Sequence, residues 1–164
     1  MYWLDIIVKS VYGGIAAVGF GVLFNVPERT IFYTFIFGAL GIFMKFTLLE
    51  VGIGMISATL ISANVIGTLS LLASYDKCTP ARVFSIPAVI PMVPGIYIYR
   101  MMLGLMQLHG EPRADFNSIV TDMLINGVNA GFIIMALSVG VGIPNLIFRK
   151  DMFNELKTSR RPKR

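Results

Sequence analysis

Long apolar stretches separated by short polar ones set the pattern of this chain. Residues 51–75 and 123–148 contain no charged side chain, and each run exceeds the roughly 20 residues that a helix needs to cross a bilayer. Residues 31–49 carry only Lys45, close enough to the end of the stretch to snorkel to the membrane surface. The pattern predicts an all-α, polytopic membrane protein, a bundle of about five transmembrane helices with one proline-broken helix. The predicted helices cover residues 6–24, 31–49, 51–75, 84–108 and 118–148.

Composition supports the membrane prediction and argues against several chemistries. The chain is 55% hydrophobic and 14% charged, whereas soluble domains carry about 25% charged residues. Its mean hydropathy is +0.74. The sequence has no cluster of histidines and cysteines for a metal, no phosphate-binding Walker loop and no Gly-x-Ser-x-Gly elbow. We therefore expect no enzyme activity, no catalytic residues, no metal and no cofactor.

The excess of basic residues is concentrated at the C-terminus. Residues 1–148, the predicted transmembrane bundle, hold seven basic and seven acidic side chains, whereas the tail at 149–164 holds seven basic and two acidic ones. Basic segments beside transmembrane helices favour the cytoplasm, so the tail is predicted to be cytoplasmic and the N-terminus, after five crossings, to lie outside. A re-entrant fourth segment would reverse the side of the N-terminus. We expect no nucleic-acid partner, because a basic end after a last transmembrane helix is common.

The fourth apolar stretch combines helix-breaking residues with a lone arginine. Prolines remove backbone donors, and in hydrocarbon a broken backbone persists only where it is buried in protein or lines a cavity. This segment is therefore the predicted substrate-binding region, whether residues 84–95 span the membrane or re-enter it. Tyr97 and Tyr99 follow the break and either line the site or belong to an interfacial aromatic belt. The breaking residues are Pro87, Pro91, Pro94 and Gly95.

Arg100 is the candidate anion-binding residue. A half-helix that begins near Pro94 and Gly95 directs free N–H groups toward a carboxylate, and Arg100 lies about one and a half turns into it. A guanidinium binds a carboxylate through two parallel hydrogen bonds. A structural role competes with this function: Arg100 snorkels to an interface, or it pairs permanently with Asp122 or Glu50.

Polar side chains on two other helices form the predicted opposing wall. Asp122, Asn126 and Asn129 recur at i, i+4 and i+7 and therefore share one helix face. Asp122 is the candidate proton-coupling residue, because a desolvated carboxyl holds a proton more readily. In the alternative, Asp122 only stabilises the N-terminus of its helix. Asn64, with Thr68 four residues later, forms a similar stripe that serves either the site or an interhelical hydrogen bond.

Three motifs carry a resemblance to a known family. They are Phe24-Asn25-Val26-Pro27-Glu28-Arg29, Gly38-Ala39-Leu40-Gly41, and Pro87-Ala88-Val89-Ile90-Pro91-Met92-Val93-Pro94-Gly95 followed by Tyr99-Arg100. On these residues the chain, up to about Phe148, resembles the threonine/serine exporter family. More narrowly, it resembles the small membrane subunit of the split, two-component form, which includes succinate (dicarboxylate) exporters.

The resemblance implies a function, a location and a partner. It implies a membrane subunit of a secondary transporter in the bacterial inner (plasma) membrane, exporting threonine and serine or dicarboxylates such as succinate, coupled to the proton gradient. It also implies a larger subunit of the same family as an obligatory partner, beside the carboxylate substrate and membrane lipid, with a homo-oligomer of that pair left open. Two other classes remain as alternatives: a non-transporting structural or assembly subunit, and a homo-oligomeric channel.

Overall fold

Helices make up the regular structure of the chain. The computed structural model describes the backbone over residues 2–77, 79–108 and 116–159 and the side chains over 3–77, 79–108 and 116–147. The described residues form six α-helices and one 3₁₀ turn, with no strand among them, which confirms the predicted all-α fold. The elements are α1 (Tyr2–Leu23), α2 (Glu28–Glu50), α3 (Met55–Lys77), α4 (Ala81–Val89), the 3₁₀ turn Ile90–Met92, α5 (Gly95–Leu108) and α6 (Phe116–Ser159).

Four helices of the described chain are long and apolar enough to cross a membrane. They are Trp3–Leu23, Glu28–Glu50, Met55–Lys77 and Phe116–Ile147. Ala81–Met92 and Gly95–Leu108 form a pair bent by 55°, which makes a fifth span if the pair crosses as one broken helix. The chain is therefore a polytopic membrane protein in which the proline-containing segment is the bent one.

Several helix boundaries differ from the sequence prediction by a few residues, and two of the differences are informative. Helix α3 begins at Met55 rather than at residue 51, because the preceding residues turn through Gly52, whose φ of 89° is the left-handed region that glycine adopts at little cost. Helix α6 runs on to Ser159 and so continues into the basic tail predicted at 149–164. Apolar periodicity locates a membrane helix, but it does not register a turn made of apolar residues or a polar continuation of a helix.

The turn between α1 and α2 explains one of the sequence motifs. Asn25 has a φ of 54°, a left-handed conformation that asparagine tolerates better than most residues. Pro27 follows in an extended conformation, with φ −55° and ψ 137°, and α2 begins at Glu28. The Thr30 hydroxyl then donates to the Pro27 carbonyl at 2.7 Å, which satisfies an acceptor at the start of α2.

The core forms where α4 packs between α2 and α3. Phe84 of α4 is fully buried, and its ring lies 6.3 Å from Phe37 and 6.0 Å from Tyr33 of α2, measured between centroids. Ile66 of α3 and Met92 of the 3₁₀ turn join the same cluster. Helix α5 packs mainly on α6, outside this core. The half of the broken segment before the bend is therefore anchored in the bundle, and the half after it is held by one neighbour.

Candidate functional site

The predicted helix break is present between Met92 and Gly95. Helix α4 contains Pro87, the 3₁₀ turn ends at Met92, and Val93 turns the chain away with a ψ of 137°. Helix α5 begins at Gly95, as the Pro-Gly pair predicts, and its first-turn amides of Tyr97 and Ile98 both donate to the Pro94 carbonyl. The break thus ends one half-helix and begins another at the same place.

Lys45 reaches this break from α2. Its side chain is only 6% exposed, and its Nζ donates to the Met92 carbonyl at 3.0 Å. In an uninterrupted helix the N–H four residues later would satisfy that carbonyl, but the helix ends at Met92, so the lysine supplies the donor instead. A cation at the C-terminal end of a helix is also favoured by the helix dipole.

The expectation that Lys45 snorkels to the surface is therefore wrong. The prediction used only its distance from the end of the apolar stretch, and the structure turns this face of α2 toward the break. In the part of the chain that the structure describes, no ion pair joins Lys45 to Glu50. A sequence signal did exist, since a helix that ends at a proline-rich break leaves carbonyls that need donors, and Lys45 is one of few cations in the apolar segments.

Arg100, Asp122 and Asn126 line one cavity of about 380 Å³ between α5 and α6, here called the Arg100 cavity. Gln107 and Ser118 add further polar groups to its wall. The cavity is narrow because Gly104 of α5 lets the helices approach: a Cβ placed there would lie 2.9 Å from the Cβ of Met123. The structure therefore brings together three of the side chains that the sequence proposed as opposite walls.

Arg100 and Asp122 do not form an ion pair across the Arg100 cavity in the described part of the chain. Both side chains are exposed. The Asn126 amide donates at 2.7 Å to the backbone carbonyl of Asp122, one turn earlier in the same helix. The guanidinium and the carboxylate thus remain available to a ligand.

The other predicted site residues lie outside this cavity. Pro94 is buried at the break, Gly95 opens α5 with free space beside its Cα, Tyr97 is half-buried and Tyr99 is exposed. Asn129 and Asn64 are half-buried on α6 and α3. Asn64 belongs to the surface where α3 meets α6, whereas α5 packs mainly on α6, which separates Asn64 from Arg100. Their role in binding stays a prediction.

A second, larger cavity was not foreseen from the sequence. It has a volume of about 1090 Å³ and lies between α3, α4 and α6, and it is called here the α4–α6 cleft. None of the predicted site residues lines it. Metal binding finds no support in the described residues, where no group of three or more His, Cys, Asp or Glu side chains is placed to hold an ion.

The fold and the two cavities define a class of protein: a multi-pass membrane protein with a broken helix beside exposed polar groups. Residues 9–147 match the family model described as Threonine/Serine exporter, ThrE. The chain therefore belongs to the threonine/serine exporter family, as its motifs suggested. This family is one of membrane exporters and not a class of enzymes.

One curated relative shows how much of a longer protein this chain corresponds to. An uncharacterized protein of Haemophilus influenzae strain Rd is 30% identical over 151 residues, which cover 92% of this chain and 50% of the relative. The chain thus spans about half the length of this curated relative. No solved structure matches the chain.

Proposed function

We propose that this chain is a membrane subunit of a secondary transporter that exports small carboxylate-bearing metabolites. The observation that carries the proposal is the Arg100 cavity. The guanidinium of Arg100 and the carboxylate of Asp122 both line it, between two apolar helices, and they do not pair with each other. Unpaired charges inside membrane helices are costly, and they usually mark substrate or ion pathways. Membership of the exporter family supports the same direction of function.

The charges of the cavity favour an amino acid over a dicarboxylate. Arg100 is suited to the substrate carboxylate, and Asp122 is suited to the ammonium of threonine or serine. A dicarboxylate such as succinate would place its second carboxylate near Asp122 and so requires that group to be protonated. Amino-acid export is accordingly the first form of the proposal, and dicarboxylate export is the second.

Coupling to the proton gradient is assigned to Asp122. Asp122 is the carboxyl group in the lining of the Arg100 cavity, so a proton that moves with the substrate would bind there. We expect Asp122→Asn to lose the stimulation that an imposed proton gradient gives in proteoliposomes, whatever rate of downhill efflux remains. Asp76→Asn, at the end of α3, is the matched control. Gradient-stimulated efflux by Asp122→Asn at the wild-type level would remove Asp122 from the coupling step.

A larger subunit of the same family is proposed as the partner. The relative carries about as much chain again beyond the part that matches, and transport sites of this kind are often completed by a second repeat or subunit. The pair, or a homo-oligomer of the pair, would lie in the bacterial inner membrane, with the basic C-terminus in the cytoplasm.

Efflux from cells tests the proposal. Arg100→Ala is expected to lower the rate of threonine, serine or succinate efflux by about 10- to 100-fold, because one charge-assisted contact contributes about 1.5–3 kcal/mol. Arg29→Ala, in the first turn of α2, is the matched control and should retain wild-type efflux.

Normal efflux by Arg100→Ala, in a protein that still assembles, would favour the alternative of a non-transporting assembly subunit. Ion conduction by the chain alone would favour a homo-oligomeric channel.

A further inference from the structure

Helices α4 and α6 both pack on α3 but touch each other little, which opens the α4–α6 cleft. Ser74 and Tyr75 of α3 lie in its back wall, and Val93 of the helix break also lines it. Most of the remaining lining is aliphatic. The cleft therefore places an apolar wall next to the same break that begins α5.

Two polar side chains in the cleft lack adequate partners. Ser85 of α4 is fully buried, and its hydroxyl has no hydrogen-bond partner among the described residues. Asn145 of α6 reaches only the carbonyl of Val141 on its own helix, at a long 3.5 Å. Buried polar groups are nearly always hydrogen-bonded, so an orphan hydroxyl in the lining of a cavity points to a ligand that completes it.

The two helices that form the side walls of the cleft each contain a proline, although neither proline lines the cleft itself. Pro87 lies in α4 and Pro144 in α6, and each removes the donor to the carbonyl four residues earlier. Those carbonyls belong to Val83 and Gly140. Neither carbonyl belongs to the cleft lining, so the polar character of the cleft rests on its side chains.

A free arginine stands at one end of the cleft. Arg82 lies in the first turn of α4, lines the cleft and makes no ion pair in the described part of the chain. Its planar guanidinium can donate two parallel hydrogen bonds to a carboxylate. Together the lining offers a cation at one end, a hydroxyl and an amide further in, and aliphatic side chains between them.

We propose that the α4–α6 cleft is a second binding site for the exported metabolite, specific for small carboxylates that carry a hydroxyl or amine. Arg82 binds the carboxylate, and Ser85 and Asn145 bind the polar group at the other end. This site rests on the proposed function, and it adds a step to it. The cleft is lined by α6 residues 134–146 and the Arg100 cavity by residues 118–126. At 1.5 Å per residue, the nearest lining residues of the two sites are about 12 Å apart along α6. The helix break lies beside the cleft, which Val93 helps to line.

Cysteine protection tests the site in membrane vesicles that contain the full chain with its larger partner. Ser138→Cys places a thiol in the cleft lining, in a Cys78→Ser background. Maleimide is expected to label it, and L-threonine or L-serine is expected to slow the labelling several-fold. L-Threoninamide, which lacks the carboxylate, is expected to give no protection. Adding Arg82→Gln is expected to abolish the protection by the amino acids.

A neighbouring cysteine controls for access from the membrane. Val139→Cys lies one residue further along α6, exposed and outside the cleft lining, and its labelling should not respond to substrate. Ser74→Cys, on the α3 wall, replaces Ser138→Cys if that variant does not insert.

Two results would overturn the second site. Labelling without protection means that the cleft is wet but binds no carboxylate, and absence of labelling at both positions means that lipid or a helix fills it. These results are separable from failure of the proposed function. Loss of efflux in Arg100→Ala without protection in the cleft leaves the exporter standing and removes only this site.

Discussion

At the scale of single residues, Lys45 shows how a membrane protein handles a broken backbone. Most side-chain hydrogen bonds of the described residues return to the donor's own helix, such as Ser62 to Ala58 and Thr34 to Thr30. The Lys45 ammonium instead crosses from α2 to the Met92 carbonyl. It therefore ties the end of the first half-helix to the bundle, and with it the start of α5, which carries Arg100.

Replacing Lys45 tests whether its hydrogen bond to the Met92 carbonyl stabilises the break. Lys45→Met keeps much of the side-chain volume but leaves the Met92 carbonyl without its donor. We expect the free energy of unfolding to fall by about 1–2 kcal/mol, the usual cost of an orphaned buried acceptor. Thermal unfolding in detergent measures the change.

Lys9→Met is the control: Lys9 is exposed and lies 4.9 Å from the centroid of the Phe46 ring, a contact that contributes about 0.5–1 kcal/mol. Unchanged or raised stability in Lys45→Met would show that the hydrogen bond does not hold the break.

At the scale of helices, close approach depends on glycine. A Cβ added to Gly140 of α6 would lie 2.7 Å from the Cβ of Ala63 and 2.8 Å from the carbonyl oxygen of Leu60 on α3. Neither atom is the end of a flexible side chain, so the helices themselves would have to separate. Close packing of small residues is the main source of helix association in a bilayer, where the hydrophobic effect contributes little.

Two glycines of α6 give a matched comparison. Gly140→Ala is expected to lower the melting temperature in detergent, with an overpacking cost of about 1–3 kcal/mol. Gly131→Ala meets no atom within 4 Å and should leave stability unchanged or raise it by up to about 1 kcal/mol through helix propensity. Equal melting temperatures for the two variants would mean that the α3–α6 contact is looser than the structure indicates.

The helices were predictable from sequence to different degrees. The break and the start of α5 at Gly95 followed from the prolines, because proline acts locally. The meeting of Arg100 with Asp122 was anticipated from facing polar residues, and the cavity places them together. The role of Lys45 and the α4–α6 cleft were not anticipated, since both depend on how α2, α3 and α6 pack around α4. Helical periodicity gives no information about which faces meet.

At the scale of the whole molecule, we propose that the chain forms one half of a transporter. It presents two arginines at two levels, Arg82 in the α4–α6 cleft and Arg100 in its own cavity, with the Met92–Gly95 break between them in the sequence. The anchored half-helix α4 and the loosely held α5 meet at that break. A change in its angle would move Arg100 relative to the core, and we propose this motion as the basis for alternating access in the proposed pair of subunits.

Counterflow of radiolabelled L-threonine in proteoliposomes tests carboxylate binding at Arg100 most directly, because it needs no gradient and reports binding and exchange alone. The liposomes contain the chain with the proposed larger subunit and are preloaded with unlabelled threonine. Wild type is predicted to accumulate label transiently, and Arg100→Lys, which keeps the charge but loses the bidentate fork, is predicted to do so about 10-fold more slowly. Equal counterflow by Arg100→Lys, Arg100→Ala and wild type would contradict the assignment of Arg100 as the substrate-binding residue.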